Sequence, residues 1–280
     1  MAMKVCVLAS GSSGNCTYVA GDHAAILLDA GLSAREVGRR LEQVGARLDQ
    51  IHAVCISHEH ADHTAGIRVL HKRYGIPVFA NSGTVRALQR DERSAGVSWQ
   101  VFSTGSAFSV GDLSIEPFSV PHDAMDPVGF VVGCGATRVG IVTDVGMATT
   151  LLRERLSRCR VVVMESNHDE RMLENSKRPW YLKQRIKGRQ GHLSNARAAE
   201  VMAEVAGSDL QHVFLAHISE ECNRHELALR AAEDKLRDAG CPHVRVSLTY
   251  PDRISDIWDE RLFAAPDPLH PSLQSASCRA

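Results

Sequence analysis

The chain has 280 residues, of which 44% are hydrophobic and 23% charged, with a formal net charge of -1. That composition can bury a sizeable core without covalent staples, and it excludes a wholly disordered chain. The near-zero charge excludes a surface coated in basic residues, though it allows a local basic stripe. One domain is expected, because many-stranded sandwiches run to this length.

Eight cysteines, at 6, 16, 55, 134, 159, 222, 241 and 278, form no CxxC pair, so neither a zinc ribbon nor a redox dithiol is indicated. Cys6 in KVCVLAS and Cys55 in HAVCIS sit in apolar runs and read as small buried hydrophobes of a reducing compartment. A cytoplasmic location follows as an expectation. MAMKVCVLAS lacks an apolar segment with a cleavage site, and no run of about 18 apolar residues occurs, so no secretion signal or membrane span is expected. An oligomeric interface is not specified by the sequence.

In chain order, the β-branched runs KVCVLAS, AAILLDA, HAVCIS, PVFA, LSIEPFSV, VGFVVG, RVGIVTD, RVVVMES, HVFLAH and HVRVSLTY predict strands. Apolar residues spaced at three and four predict helices over 33–44, 63–74, 83–90, 147–156, 195–205 and 220–239. Ser219 is the expected N-cap of the last, with Glu220 and Glu221 in its first turn. Strands first, then strands mixed with helices, imply layered α and β packing. The segment from Ala264, rich in Pro, Ser and Ala, reads as a disordered tail over 264–280.

The sharpest local signal is Ser57-His58-Glu59-His60-Ala61-Asp62-His63, placed between the apolar run AVCI and a helical pattern. Four imidazole and carboxylate groups at one strand end do nothing for a core unless paired. As ligands, His58 and His60 reach one ion from an extended stretch, while Asp62 and His63 reach a second from the turn into the helix.

This HxHxDH loop resembles the hallmark of the metallo-β-lactamase superfamily. The resemblance implies an α+β fold, a four-layer αβ/βα sandwich over residues 1–263, with a dinuclear metal site on one edge. It also implies three further ligands at later strand ends: His122 after LSIEPFSV, Asp144 after RVGIV as the bridging carboxylate, and His217 after HVFL. Taken singly, His122 and His217 read as structural histidines and Asp144 as a helix N-cap; their order and shared setting argue for ligands. Two ions about 3.5–4 Å apart would turn a bridging water into hydroxide at neutral pH and clamp developing charge, so hydrolysis is the implied reaction. Zinc suits the histidines and manganese the oxygen ligands.

Substrate class is argued from later segments. Glu165-Ser166-Asn167-His168-Asp169 and Gly191-His192-Leu193-Ser194-Asn195 resemble motifs of the tRNA 3′-processing phosphodiesterases of this superfamily. That likeness makes Asp62, His192 and Glu165 the candidate catalytic residues. His192, supported by Glu165, would donate a proton to the leaving oxygen, and His168, Ser194 and Asn195 are candidate substrate contacts. Upstream, KRPWYLKQRIKGRQ carries Lys183, Arg185, Lys187 and Arg189 with no intervening acid, the pattern of a phosphate-tracking stripe, and Trp180 and Tyr181 are placed either to stack or to pack. The bland alternative is a solvated helix face.

LASGSSGN at residues 8–15, the HxHxDH loop, ESNHD, RPW, GHLSN, and AHIS followed by Asn223 together resemble the YycJ (WalJ) branch of bacterial metallo-β-lactamase-fold proteins, over roughly residues 4–250. Membership implies a 5′-to-3′ exonuclease acting on double-stranded DNA. LASGSSGN lacks the Gly-Lys-Ser/Thr ending of a phosphate-binding loop, so it reads as a strand turn in which Ser10 and Asn15 orient the site. The 73 positions between Asp144 and His217 leave no room for the inserted domain of the RNase J and CPSF-like group. The alternatives left open are a small-molecule hydrolase acting on a cyclic phosphodiester, thioester or lactone, an RNA-processing nuclease, and a non-catalytic binding module.

Overall fold

Val5 and Val7 are buried on one face of the first strand, and Cys6 and Leu8 on the other. A strand buried on both faces needs a layer above and below, which a helix–sheet–sheet–helix stack supplies. The computed structural model describes residues 2–89, 91–207 and 209–263. The expected tail over 264–280 lies outside them.

The first sheet holds β1 (Lys4–Ala9), β2 (Cys16–Ala20), β3 (Ala25–Leu28), β4 (Ala53–Cys55), β5 (Val78–Asn81), β6 (Trp99–Phe102) and the late strand β14 (Ile257–Asp259). Their order is β14-β1-β2-β3-β4-β5-β6, antiparallel from β14 to β3 and parallel from β3 to β6. The second holds β7 (Phe108–Val110), β8 (Leu113–Ser119), β9 (Val128–Cys134), β10 (Thr137–Val142), β11 (Val161–Glu165), β12 (His212–Ala216) and β13 (Arg245–Leu248). Here the order is β13-β12-β11-β10-β9-β8-β7, parallel from β10 to β13 and antiparallel elsewhere.

Between the sheets lies an apolar layer that includes Val5, Ile26, Ile115, Phe130, Val163 and Phe214. Helices α1 (Ala34–Gln43), α3 (Ile67–Tyr74) and α4 (Ser82–Leu88, in place of the expected 83–90) close the outer face of the first sheet with Val37, Leu41, Ile67, Leu70 and Leu88. Helices α5 (Thr150–Leu156), α8 (Asn195–Val205) and α9 (His225–Asp238) close the second with Leu152, Val201, Ala228 and Leu236. Cys6 and Cys55 are fully buried, as their apolar settings require, and burial pushes the Cys6 thiol up to about 11. Among the described residues no helix is long and apolar enough to cross a membrane.

Several boundaries differ from the sequence pattern. The helix expected over 63–74 is split into α2 (Ala61–Thr64) and α3, because the Gly66 amide leaves the helix ladder to donate to Ala30 O at 2.8 Å. The last long helix starts at His225 rather than 220: Ser219 Oγ accepts from Cys222 N, and Asn223 is drawn inward to Ser166 O and Asn167 O, which holds 219–223 as a loop. Strands β2, β6, β7 and β14 and helices α6 (Glu170–Asn175) and α7 (Trp180–Lys187) were not signalled by periodicity.

The HxHxDH loop is seated against the turn after β3. A Cβ at Gly31 would lie 1.7 Å from the Asp62 carbonyl oxygen, and Asn15 N donates to that same oxygen at 2.7 Å. Gly31→Ala is therefore expected to push the loop outward and to cost about 1–3 kcal/mol or more through overpacking. Thermal unfolding beside metal stoichiometry checks this; an unchanged melting temperature with full metal content would contradict it.

Candidate metal centre

Because β1, β3, β4, β8, β10, β11 and β12 run the same way, their C-terminal ends meet along one edge of the sandwich. The residues there are Ser10, Asp29, Ser57 to His63, His122, Asp144, Glu165 and His217, all buried except Glu59, His60, Ala61 and Asp62. Open-edge loops after parallel strands are where such a fold can gather side chains from distant parts of the sequence.

His58 Nε2 lies 3.1 Å from His60 Nδ1, and His60 Nδ1 lies 3.4 Å from His122 Nε2, so three ring nitrogens face one point. On the other side His63 Nε2 is 3.0 Å from Asp144 Oδ2 and 3.5 Å from Asp62 Oδ2, which in turn is 3.7 Å from His217 Nε2. Asp144 stands between the two groups, its Oδ1 3.7 Å from His122 Nε2.

The opposite nitrogens of these rings are already spent. His63 Nδ1 donates to Asp29 Oδ2 at 2.7 Å, His122 Nδ1 to Gly191 O at 3.1 Å and His217 Nδ1 to Glu165 Oε1 at 3.0 Å; His58 Nδ1 is 2.9 Å from Ser57 Oγ. An imidazole so anchored presents its other nitrogen as a lone pair, the usual arrangement of a metal-binding histidine. His217 Nε2 is buried without a hydrogen-bond partner, and Asp144 Oδ2 faces only the His63 ring nitrogen at 3.0 Å; a buried polar atom left so costs about 1–3 kcal/mol if nothing compensates. A divalent cation would satisfy both, so the donor set fits one.

The electrostatics agree. Burial and the neighbouring His63 hold His58 well below the ordinary imidazole value, and burial lowers His122. For His63 and His217 burial acts the same way, but Asp29 and Asp144 outweigh it at His63, and Asp144, Asp62 and Glu165 at His217, which rises to about 10. Burial would raise Asp144, yet His217 and His63 hold it well below the carboxylate range. This edge is built to pair buried negative charge with positive charge.

Asp144, Glu165, His192 and His217 also cluster, but here Glu165 Oε1 accepts from both His192 Nδ1, at 2.7 Å, and His217 Nδ1. Glu165 Oε2 takes the Val145 and Leu193 amides, so the carboxylate is fully occupied as an anchor. His192 is left with its side chain partly exposed, lining a cavity of roughly 260 Å³ over the metal residues together with Asp62, Arg178 and Arg185.

The other candidates fall elsewhere. Asn195 is buried and bonded to Ser166 and Asn223, and Ser194 caps α8 while donating to Glu170, so both brace the loop. His168, Lys187, Arg189 and Ser194 line a second cavity beside His192. Lys183 Nζ donates to Glu174 O, while Lys187 pairs with Glu174 and Arg185 with Asp123.

Sequence reasoning passed over Asp29. It holds the Ser57 amide and hydroxyl at 2.8 and 2.9 Å as well as His63, from a backbone at φ 62. The available signal was a carboxylate closing the apolar run AAILLDA. Ser10 and Asn15 do orient the site: Ser10 Oγ accepts from the amide of His217, itself at φ 52, and Asn15 Nδ2 reaches Asp62 Oδ2 at 3.2 Å. Removing the partner behind a ligating histidine typically costs about 10–100-fold in metal affinity, so Asp29→Asn is expected to weaken metal binding by that factor. Competition with a chromogenic chelator measures it; wild-type affinity would show that Asp29 does not position His63 for a metal.

A family model described as "Beta-lactamase superfamily domain" matches residues 24–218. Over 241 residues the chain is 34% identical to exodeoxyribonuclease YycJ of Bacillus anthracis, covering 86% of this chain and 91% of that protein. It is 33% identical over 239 residues to exodeoxyribonuclease WalJ of Streptococcus pneumoniae, covering 84% and 89%. Among solved structures, the metallo-β-lactamase fold protein YhfI of Bacillus subtilis superposes with a TM-score of 0.70 at 15% identity, covering 92% of this chain and 99% of that one. The chain belongs to the metallo-β-lactamase superfamily of metal-binding hydrolases, in the branch of the YycJ and WalJ proteins.

Proposed function

We propose that this protein is a metal-dependent phosphodiesterase, a 5′-to-3′ exonuclease on double-stranded DNA, with its hydrolase domain over residues 1–263 and a cytoplasmic location. The observation that carries the reading is the hydrogen-bond pattern of the histidines: His63, His122 and His217 each spend Nδ1 on a carboxylate or carbonyl, which turns Nε2 of His63 and His122 toward Asp144 and Nε2 of His217 toward Asp62. Substantial identity to two proteins named exodeoxyribonuclease supports the substrate.

In this reading His58, His60 and His122 would hold one divalent ion and Asp62, His63 and His217 a second, with Asp144 within reach of both groups. Imidazole suits zinc, and the carboxylate oxygens suit manganese as well. When bound, such ions activate water for attack and offset charge on the phosphate. The chain's own groups supply the rest. Burial disfavours the charged form of His192, but the Glu165 carboxylate outweighs it and raises the imidazole above its ordinary value; from the cavity rim the ring is placed to pass a proton to the leaving oxygen. Arg178 and Arg185 border the same cavity and meet the phosphates.

A small phosphodiester substrate is the second reading. One observation favours it: Arg178, Arg185 and Lys187 already pair with Glu221, Asp123 and Glu174, which blunts the stripe as a track for a polyanion.

The test is to deplete the protein of metal, restore Mn²⁺ or Zn²⁺, and assay end-labelled duplex DNA, single-stranded DNA and RNA beside bis-p-nitrophenyl phosphate. Duplex DNA is expected to shorten progressively from its 5′ end, and Asp144→Ala to abolish this. His192→Ala is expected to lower kcat by about 10²–10⁴ with metal content retained. DNA cleavage by metal-free Asp144→Ala protein would sink the proposal, and turnover of the small ester alone would favour the second reading.

Metal uptake has a pH signature. The raised values of His63 and His217 mean that, before a cation enters, both hold a proton more tightly than an ordinary imidazole, and ligation requires their neutral forms. Protons are thus displaced, and affinity weakens as pH falls and strengthens as pH rises toward 10. Calorimetric titration in buffers of different ionisation enthalpy reads this directly; a heat independent of buffer would contradict it.

A further inference from the structure

Helix α7 is fixed by one side only. Ile186 and Leu182 pack with Leu173 and Cys222, while Trp180 and Tyr181 stand 74% and 70% exposed. Neither ring stacks on another aromatic or on a cation among the described residues. An indole and a phenol side by side in water on an eight-residue helix contribute nothing to its packing, so the reading in which they pack is ruled out.

Their surroundings specify a partner. Tyr181 and Arg185 are four residues apart and share a helix face, about 5–6 Å from one another, and Arg185 lines the cavity over the metal residues. That interval matches one to two stacked nucleotides at about 3.4 Å each. The aromatics are embedded in a segment with six cations, Lys177, Arg178, Lys183, Arg185, Lys187 and Arg189, three of which have carboxylate partners in Glu221, Asp123 and Glu174. A net positive surface around flat apolar rings attracts a polyanion that carries flat apolar rings.

We infer that Trp180 and Tyr181 form a stacking platform for the nucleobases at the end of the strand being digested, one helical turn from the pocket where its backbone is cut. The inference rests on the nuclease reading and deepens it, because it lets the enzyme grip frayed bases without reading their sequence. Stacking on an aromatic side chain changes affinity about five- to hundred-fold per base.

The test uses the metal-loaded protein and duplexes whose digested strand ends either in normal nucleotides or in abasic units, so that phosphates are unchanged and only bases are removed. Trp180→Ala is expected to raise KM at least about fivefold on the normal duplex, with kcat held and the melting temperature unchanged. Tyr181→Ala should behave alike; abasic ends should cost the wild type most, each single variant less, and the Trp180→Ala/Tyr181→Ala double variant nothing more. Quenching of tryptophan emission by a normal but not an abasic oligonucleotide, lost in Trp180→Ala, is expected even if no nucleic acid is cleaved, which separates this inference from the nuclease reading. Equal sensitivity of wild type and variant to base removal would overturn it. So would a variant that changes the molecular mass in solution while leaving oligonucleotide binding intact, since the patch would then be a contact between protein copies.

Discussion

Asp144 is a carboxylate 6% exposed, at the junction of two sheets, with one oxygen facing only the His63 ring nitrogen. A charge so placed costs several kcal/mol in desolvation unless opposite charge is brought to it. Most of the features along this edge are ways of bringing that charge: His63, His217, His122 and His192 arrive on four different loops, and all come within 3.7 Å of its oxygens. Positive charge on imidazolium or on a divalent cation meets the same electrostatic demand; the anchored Nδ1 atoms and the unpartnered, buried His217 Nε2 are what favour a metal centre over a structural ion pair.

Holding four loops to that tolerance falls to groups that never face the cavity. Asp29 ties β3 to the HxHxDH loop, and Ser10 ties β1 to His217 across the sandwich. Glu165 connects Val145, His192, Leu193 and His217, so a single buried carboxylate sets the spacing between the proposed ligands and the proposed proton donor. A Cβ at Gly146 would meet Arg189 O and Gly191 N at 2.5 Å, so the loop bearing His192 lies directly on the one bearing Asp144. The left-handed backbones of Asp29 and His217, costing about 1–3 kcal/mol each, persist because these contacts over-determine them.

What the sequence made legible was what short-range pattern encodes. The apolar runs gave ten of the strands, and the dense HxHxDH loop with its three later partners marked the edge at which they gather. The four missed strands are short or flanked by polar residues; β7, FSV, is a three-residue edge strand with no internal pattern. Asp29 was silent because its role depends on contacts 28 and 34 residues away. Asn195 looked like a substrate contact beside His192, but its amide is turned inward to Ser166 and Asn223, a direction set by tertiary packing alone. The basic stripe was visible as a run of charge, while the acids that pair with it, Asp123, Glu174 and Glu221, lie on other segments of the chain.

That last point bears on how the two halves of the function separate. The proposed ligands sit at strand ends and the proposed proton donor, His192, in the loop before α8, where Glu165 braces it, so that chemistry would tolerate little movement. Helix α7 is instead anchored by a small satellite cluster of Leu173, Leu182, Ile186 and Cys222 and by ion pairs that water can replace. Exposed ion pairs contribute little to stability, typically about 0–1 kcal/mol. A phosphate can therefore displace Asp123 from Arg185, or Glu174 from Lys187, at small energetic cost. In the proposed reading these carboxylates hold the cations extended ahead of the phosphates, and the rigid edge beneath need not move when they are displaced.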